Sequence, residues 1–597
     1  MAEKNRLFKR SKKDSKKKKQ KKKRFHGFKI AYRSIEDPKK YVNTILGPLV
    51  FLGALFIFLP FLLQLFSIEL LVTPLAFIIV GGIVIVLGIL YPYITWKNKE
   101  VEINENMHFF ITHLRVLSIS DMGFKDILNM LGKKKVYKTL SEEIRKIGVL
   151  SINWKSSVEN ALRFVAERTP SKILKDFLER FSQSVASGVT HKDFVEHEQE
   201  GVMEEYKTMY ESSNEVITIL NELYVALLTS IVFLTVFGII APSIAGGEPF
   251  TYVIGSCFIF IASEVLLLYF IYSFIPKDNI WHTLKKKSDT EKKISLVFKL
   301  SVVASLILTT ILVLSVYILK LPYFKDLGEY YEFVVAICIS PLIVSGIMVF
   351  LEEQKIFRKE KSFIGFLPSL GNIATMRGGK VSDAVAYLGK KEQDFGILSE
   401  NIMNLSKRLR TRINDAVSWE WFGIETHSNL IQRFSDIYRE ATLAAANPRI
   451  TGNVITENFR KIKNLRFKKL TVLKTTNGLF YGVTFGVALT LYVALVISKH
   501  MADLGEKANV GGTLGTIGID IPLFGEVSAS DIEFMFLLIF IVLVIHCAII
   551  AVTIKVLSGS HKLIALLHVV PLVWIVSLSA VFTNWGLQQL LNVPMPV

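Results

Sequence analysis

The 597-residue sequence has few of the residues that build reactive sites. It contains three cysteines, Cys257, Cys338 and Cys547, and each lies inside a long apolar run. None belongs to a Cys-x-x-Cys pair, so the sequence predicts neither a disulfide framework nor a zinc site. The patterns Gly-x-x-x-x-Gly-Lys-Ser/Thr, His-Glu-x-x-His and Gly-x-Ser-x-Gly are absent as well. We therefore expect a protein that is not an enzyme and that binds no cofactor or metal.

Ionisable residues are also scarce inside the apolar runs. Glu264 lies near the middle of the run 251–275, and His546 and His568 lie within two later runs. An acid at such a depth is a functional candidate by default. A proton relay would require further acids along a path, and the sequence offers none. The hypothesis is therefore a structural one, in which a protonated or paired Glu264 holds helices together.

Apolar residues are abundant, at 51% of the chain, and they are concentrated in long runs. These runs are about 20 residues long, which is the length that crosses a hydrocarbon core of about 30 Å. Inside a bilayer the backbone must satisfy its own hydrogen bonds, so we predict that the runs are helices. The fold class predicted is all-α, a polytopic membrane helix bundle of about nine spans. The predicted spans are 43–66, 70–94, 217–241, 251–275, 294–319, 331–351, 472–497, 532–554 and 563–586.

Positive charge is concentrated at the N-terminus. Residues 1–40 contain 18 Lys or Arg and four acids, which accounts for +14 of the formal net charge of +19. Such a block predicts a disordered, lysine-rich tail. Nucleic-acid binding is one interpretation of the run 16–24, but contact with anionic lipid is favoured, because each basic residue near such a surface contributes about 1 kcal/mol.

The basic residues of the loops predict the orientation in the membrane. The loop 276–293 contains six lysines, and the turn between the last two spans contains Lys555 and Lys562. Both are predicted to face the cytoplasm, as is the N-terminal tail. The loop 498–531 has only two lysines, five acids and several glycines, so we expect it outside. Nine spans then place the C-terminus outside a cell membrane.

Two long segments between the spans are predicted to be duplicated cytoplasmic helical bundles. We name 97–216 the first helical domain and 352–471 the second helical domain. Short matches recur between them at offsets of 253 to 258 residues. The clearest are Leu131-Gly132-Lys133-Lys134 with Leu388-Gly389-Lys390-Lys391, and Arg180-Phe181-Ser182 with Arg433-Phe434-Ser435. The architecture expected is a span pair (43–94), the first domain, two more span pairs (217–275 and 294–351), the second domain, a pair within 472–554, and a final span.

Local signals place individual helix ends. Thr169 is a candidate cap, Pro170 suits a first helical position, and Gly188 can end the same helix. The sequence Gly378-Gly379-Lys380 predicts a turn that leads into a helix starting near Val381.

The two domains differ in charge. The first has 18 basic and 19 acidic residues, and the second has 21 basic and 13 acidic residues, so their net charges are −1 and +8. The second domain therefore offers the better surface for an acidic partner. The alternative is a solvated helix face that also contacts lipid headgroups.

A family resemblance enters through the first domain. The residues that carry it are the run from Ile103-Asn104-Glu105-Asn106-Met107-His108 to Leu114, then Ser120-Asp121-Met122-Gly123, Thr169-Pro170-Ser171, Phe177-Leu178 and Arg180-Phe181. Together with the duplicated domains, they resemble the platform proteins of type II secretion and type IV pilus machines, and more narrowly those that assemble the archaellum, the archaeal flagellum. The lysine-rich tail has no counterpart in that pattern.

The resemblance implies a platform in the cell membrane of an archaeon, with no catalytic activity of its own. Its expected partners are a cytoplasmic hexameric motor ATPase with its accessory protein, archaellin or pilin-like subunits, and a second copy of the chain in a homodimer. The platform would couple motion of the ATPase to subunit insertion and to filament rotation. The predicted ATPase-docking residues are basic: Lys390, Lys391, Lys407, Arg408, Arg410 and Arg412, and secondarily Lys133, Lys134 and Lys135.

The sequence leaves three other functions open. The platform of an adhesive type IV pilus or of a type II-like secretion system is the nearest alternative. A secondary transporter also has repeats, but it places broken helices and polar groups at mid-membrane. A membrane enzyme would need clustered catalytic residues. Neighbouring genes separate the platforms from one another, and solute uptake into vesicles separates them from a transporter.

Overall fold

The computed structural model describes residues 41–65, 74–152, 154, 156–245, 249–276, 278–319, 330–390, 394–510 and 529–591. Within these ranges the regular secondary structure is helical, as predicted, and the one β-bridge joins Trp281 to Ser428. The lysine-rich tail, Lys391 and most of the predicted loop 498–531 lie outside the described residues.

The helices are numbered here in chain order. The first six are α1 (Gly47–Leu65), α2 (Pro74–Leu117), α3 (Phe124–Gly132), α4 (Thr139–Ile152), α5 (Val158–Ala166) and α6 (Lys172–Ala186). The next six are α7 (His191–Ala245), α8 (Pro249–Phe274), α9 (Asp289–Val313), α10 (Tyr331–Ile339), α11 (Ile343–Met376) and α12 (Val381–Leu388). The last six are α13 (Leu398–Arg410), α14 (Asp415–Thr426), α15 (Asn429–Leu443), α16 (Pro448–Val510), α17 (Ala529–Ser558) and α18 (Ile564–Leu591).

Seven helical stretches of the described chain are long and apolar enough to cross a membrane. They coincide with the last seven predicted spans, which confirms a multi-pass membrane bundle. The stretches are His191–Pro242, Tyr252–Ser273, Asp289–Val316, Tyr331–Met376, Pro448–Ala502, Asp531–Ser558 and Ile564–Gly586. The two remaining predicted spans, 43–66 and 70–94, each include residues outside the described ranges.

Several helices run from an apolar stretch into a helical domain without a break. α7 has 55 residues and α16 has 63, so the predicted boundaries near 216 and 471 fall inside single helices. α2 and α11 are continuous across the same kind of boundary. Neither glycine nor proline lies within six residues of position 216 or 471, so no breaker signal stops α7 or α16 there.

The two helical domains repeat one helix order. The starts of α12, α14, α15 and α16 each lie 257 residues after the starts of α3, α5, α6 and α7, and α13 starts 259 residues after α4. The turn at Gly378 and Gly379 leads into α12 at Val381 as predicted, and both glycines have positive φ.

The caps of the fourth short helix repeat as well. Ser171 caps α6 by accepting the N–H of Leu174, and its hydroxyl donates to Asn104 at 2.5 Å. Ser428 caps α15 by accepting the N–H of Ile431, and its hydroxyl donates to Glu360 at 2.6 Å. The prediction of Thr169 as the cap was therefore wrong. Ser171, two residues later, takes the capping position because its hydroxyl reaches both the N–H of Leu174 and Asn104 on the long helix α2.

The described chain divides into two compact units. One unit contains the described residues up to Met107 and Lys125–Phe194, and the other contains His108–Phe124 and the described residues from Val195 onward. In the second unit, side chains of α7, α8, α16, α17 and α18 form one apolar core. In the most apolar stretch of α16, and likewise of α17, 50% of the residues are buried, whereas in that of α9 only 11% are buried. α16 and α17 are therefore central in the bundle and α9 is peripheral.

Candidate functional site

Four of the predicted docking residues of the second helical domain are exposed around the contact between α12 and α13 and the turn that follows α13. Gly389 ends the short helix α12 against α13, so closely that a Cβ added there would lie 2.8 Å from Cβ of Ser406. Lys390 directly follows Gly389, and Lys407 directly follows Ser406. The exposed cations are listed together as the second-domain basic face: Lys390, Lys407, Arg410 and Arg412. Lys407 and Arg410 lie in the last turn of α13, where positive charge is favoured by the helix dipole.

Arg408 does not belong to that face. Its guanidinium bonds to the carboxylate of Glu425, and its side chain is 17% exposed. Lys359 adds a bond from its ammonium to the backbone oxygen of Glu425 at 2.9 Å. Burial raises the pKa of Glu425, although Arg408 acts in the opposite direction. Arg408 therefore ties α13 to α14, and it is less exposed than the other predicted docking cations of α13.

The secondary docking residues lie on the first unit and repeat the same construction. Gly132 ends α3 against α4, where an added Cβ would lie 3.0 Å from Cα of Arg145. Lys133 and Lys135 follow it and are exposed, whereas Lys134 is half-buried. In both helical domains a glycine thus brings a short helix onto its neighbour, and lysines follow directly.

A group of buried charges joins the second helical domain to the membrane helices. The Nε of Arg466 on α16 donates to both carboxylate oxygens of Asp278, at 2.7 and 2.8 Å. The Nη1 of Arg466 donates to Glu360 on α11 at 3.3 Å, and Glu360 also receives the Ser428 hydroxyl. Tyr210 on α7 donates to Asp278 at 3.0 Å. Burial alone would raise the pKa of Asp278, but Arg466 and Lys469 outweigh it and hold that pKa below its ordinary value.

The loop 275–288 lies within this junction. Ile280 donates its N–H to Gly559 and accepts the N–H of Asn429, at 3.1 and 2.9 Å. Trp281 donates its indole N–H to Glu353 at 2.9 Å. Gly559 has φ of +67° and an added Cβ would lie 1.9 Å from the backbone oxygen of Asp278, so only glycine fits. We name this group the polar joint, and its side chains are Asp278, Trp281, Glu353, Glu360, Ser428 and Arg466.

Beside the polar joint, three side chains have the connectivity of an acyl-transfer triad. The Oγ of Ser288 lies 2.7 Å from Nε2 of His427, whose Nδ1 lies 3.1 Å from Glu352. The same Oγ accepts the N–H of Glu291 and caps α9, and Ser288 is 6% exposed. Burial lowers the pKa of His427, although Glu352 acts in the opposite direction. A catalytic nucleophile must be open to its substrate, and Ser288 is buried. We therefore assign these three side chains a structural role, in which they link α9, α11 and the turn after α14.

Glu264 has partners on two other helices, and one of these partners extends the network to a fourth helix. Its carboxylate bonds to Nδ1 of His546 on α17 and receives the hydroxyl of Tyr224 on α7 at 3.4 Å. The Nε2 of His546 in turn lies 3.0 Å from the hydroxyl of Thr484 on α16. Glu264 is 1% exposed and His546 is fully buried. A buried polar network that connects four helices restricts how they can pack.

The first of the segments that carried the family resemblance, 103–114, lies at the buried end of α2. His108 packs on Tyr206, with ring centroids 4.3 Å apart, and burial with nearby Arg433 keeps the pKa of His108 well below its ordinary value. Further contacts join Phe109 to Phe434, Thr112 to Asn458, His113 to Glu440 and Arg115 to Glu196. The motif is therefore a packing segment that connects α2 to α7, α15 and α16.

The polar joint was not predicted from the sequence. Its central pair, Asp278 and Arg466, is separated by 188 residues, and both look like ordinary members of charged segments. One signal was present, since Asp278 is the first acid in a loop that is otherwise basic.

Comparisons with known proteins agree with this architecture. Residues 110–239 match the family model of type II secretion system protein F. The chain is 34% identical to flagella accessory protein J of Methanococcus voltae, over 94% of this chain and 98% of that protein. It is 33% identical to flagella accessory protein J of Methanocaldococcus jannaschii, over 94% and 97%. No solved structure matches the chain. An identity of this size along nearly the whole length shows that the protein belongs to the family of flagella accessory protein J.

Proposed function

We propose that the chain is the membrane platform of the archaellum machine and that its second helical domain docks the cytoplasmic hexameric ATPase. The second-domain basic face carries the proposal, because it gathers four exposed cations on a domain with a net charge of +8. Opposite charge on the partner would raise the association rate and orient the encounter. Family membership supports a platform role, and the resemblance implies the ATPase, its accessory protein and the pilin-like subunits as partners.

The polar joint offers the route by which motion of the ATPase would reach the membrane. On one side of the joint lie the cap of α15 and the helix α11. On the other side lie α16 and the turn before α18. Bonds of this kind between buried charges resist separation, since a stranded charge is costly. A displacement of the second helical domain would therefore move these membrane helices, and with them the subunits being inserted.

Reversal of the face tests the docking site. Lys390, Lys407, Arg410 and Arg412 are changed to Glu together. Each exposed pair contributes about 0.2–1 kcal/mol, so the fourfold reversal should raise the Kd for the ATPase by about tenfold or more. Salt should weaken the wild-type complex, because exposed charges are screened beyond about 8 Å at physiological ionic strength. Cells with the variant should be non-motile while the protein still inserts.

A charge-matched control is available on the long helices of the same domain. Lys361, Arg449, Arg460 and Lys468 are exposed, and their joint reversal changes the net charge equally. Unchanged affinity in the face variant, or an equal loss in the control, would show that the face is merely solvated and that docking lies elsewhere.

The platform proposal also requires both helical domains to face the cytoplasm, as the distribution of basic residues predicts. Single cysteines in 97–216 and in 352–471 should resist an impermeant thiol reagent in intact cells, whereas one at position 512 should react. Labelling of either domain from outside would contradict the orientation and the proposed function with it.

A further inference from the structure

A short basic loop leads into the membrane helix α9 and is held at both of its ends. The backbone N–H of His282 donates to the backbone oxygen of His427 at 3.0 Å, and the Oγ of Ser288 lies 2.7 Å from Nε2 of the same histidine. Between these two contacts, the three lysines of 285–287 are exposed. The loop therefore presents its cations from a backbone that is anchored twice to one residue of the second helical domain.

Some of the lysines around this loop already have an acidic partner. Lys286 pairs with Glu420 at 2.9 Å, and Lys292 pairs with Asp289 at 2.9 Å. Within the described residues, the other exposed lysines of 285–299 make no ion pair. We name them the basic rim of α9: Lys285, Lys287, Lys293 and Lys299. A group of like charges without compensation attracts an anionic ligand.

The basic rim continues directly into an apolar surface of α9. Leu296, Leu300 and Val303 have exposed fractions of 59%, 61% and 50%. Together with Lys293 they recur at intervals of three or four residues, so they share one face of the helix. Lys299 lies among them, three residues after Leu296. Since the most apolar stretch of α9 is only 11% buried, this face contacts the hydrocarbon of the membrane.

The position of Lys299 selects a lipid as the occupant. An ammonium group is costly in hydrocarbon, and the flexible stem of a lysine near a helix end allows it to reach the lipid headgroups. A water-soluble partner could contact the loop lysines, but it could not cover the leucines beside Lys299. A phospholipid does both, because its phosphate meets the ammonium groups while its chains cover the apolar face.

We infer that the basic rim of α9 binds the headgroup of an anionic phospholipid and that the bound lipid stabilises the polar joint. The loop begins directly after Trp281, which belongs to the joint, and its anchor His427 directly precedes Ser428, another member. A ligand that binds only the folded loop shifts the equilibrium toward that fold. The inference does not depend on docking of the ATPase, which concerns the second-domain basic face, so either can fail while the other stands.

The binding test uses the full-length protein in detergent and counts bound lipids by native mass spectrometry. The wild type should bind the anionic phosphatidylglycerol more tightly than the zwitterionic phosphatidylcholine. Changing all four residues of the basic rim to Gln should raise the Kd for phosphatidylglycerol by about tenfold or more, because each basic residue near an anionic headgroup adds to the attraction. The Kd for phosphatidylcholine should stay the same, which also shows that the variant is folded.

A charge-matched control is available on the second helical domain. The control variant changes four other exposed cations to Gln: Lys361, Lys380, Arg449 and Arg460. Its Kd for phosphatidylglycerol should equal that of the wild type. An equal loss in this variant, or unchanged binding in the rim variant, would overturn the inference, because the attraction would then not be located at the basic rim.

Hydrogen exchange in nanodiscs tests the link to the polar joint. The backbone N–H groups of His282 and Asn429 donate to His427 and Ile280, and both should exchange more slowly in phosphatidylglycerol than in phosphatidylcholine. The rim variant should exchange at the same rate in both lipids. A wild type whose exchange ignores the lipid would overturn the inference, since the bound lipid would then not stabilise the joint.

A last comparison separates a lipid from a free phosphate. Glycerol phosphate has the headgroup chemistry without the chains, so it should not slow exchange in phosphatidylcholine nanodiscs. If it protects the joint as well as phosphatidylglycerol does, the occupant is a soluble phosphate compound and the assignment of a lipid is wrong.

Discussion

Removal of Arg466 should destabilise the protein far more than removal of a neighbouring surface cation. Arg466 is 5% exposed, and its guanidinium bonds to Asp278, to Glu360 and to the backbone oxygen of Asn279. Arg466→Met keeps most of the side-chain volume and removes the guanidinium that pairs with the buried Glu360 and the largely buried Asp278. Breaking a buried pair in this way costs about 3–5 kcal/mol of the free energy of unfolding.

The matched control lies two residues further along the same helix. Lys468 pairs with Glu211 at 2.8 Å, but the two side chains are 60% and 40% exposed. Exposed pairs contribute about 0–1 kcal/mol, so Lys468→Met should have little effect. Both variants remove one positive charge from α16, but Arg466 has several largely buried partners whereas Lys468 has one exposed partner.

Unfolding can be followed through the protein's own thiols. Cys257, Cys338 and Cys547 are buried, so a fluorogenic maleimide should react with them only as the structure opens. Denaturant titrations of the detergent-purified variants then give the difference in the free energy of unfolding. The native cysteines allow the same measurement on every variant without added probes.

A compensating variant decides whether stranded charge is the cause. If it is, adding Asp278→Asn and Glu360→Gln to Arg466→Met should restore a large part of the lost stability, because the two carboxylates are then neutral. Equal effects of Arg466→Met and Lys468→Met would refute the reasoning. A triple variant as unstable as Arg466→Met alone would refute it too.

Three further predictions concern single sites. Gly389→Ala should cost about 1–3 kcal/mol through overpacking against α13, whereas Gly148→Ala, which meets nothing within 4 Å, should be neutral or stabilising in the same unfolding assay. Burial holds the pKa of His427 below the 6.5 of an unfolded chain, so the unfolded state takes up the proton first and stability should fall as pH drops below about 6.5. His427→Asn, which tolerates the φ of +61° at this position, should reduce that slope in pH-dependent melting curves. Glu264→Leu should destabilise the bundle because it leaves His546 without its carboxylate, while Glu264→Gln should cost less; equal losses would contradict a hydrogen-bonding role.

The sequence predicts the membrane part of this fold well because hydropathy acts locally. A run of about 20 apolar residues has to be a helix whatever the rest of the chain does. The same local reasoning placed the start of α12 at Val381, since paired glycines set the turn. It failed at Ser171, where the deciding factor was a hydrogen bond to Asn104, 67 residues away.

The basic face and the buried charges also differ in whether local sequence or distant residues determine them. A run of cations is visible in the sequence alone, and three of the four cations between Lys407 and Arg412 are exposed. Which one is not exposed depends on Glu425, and no local pattern reveals that pairing. Glu264 could be recognised as unusual from its apolar surroundings, whereas its partners Tyr224, Thr484 and His546 became apparent only once four helices were packed together.

The unbroken length of α16 would make this helix a lever in the proposed machine. At a rise of about 1.5 Å per residue, its 63 residues span about 95 Å. A pivot at Arg466 in the polar joint would divide that length into arms of about 27 and 66 Å. A rotation of about 5° around this pivot would displace the far end of α16 by about 6 Å, about one helical turn of 5.4 Å. Small angular steps applied to the second helical domain would then become ångström-scale displacements of the far end of α16, and the gain would be set by where along the helix the pivot lies.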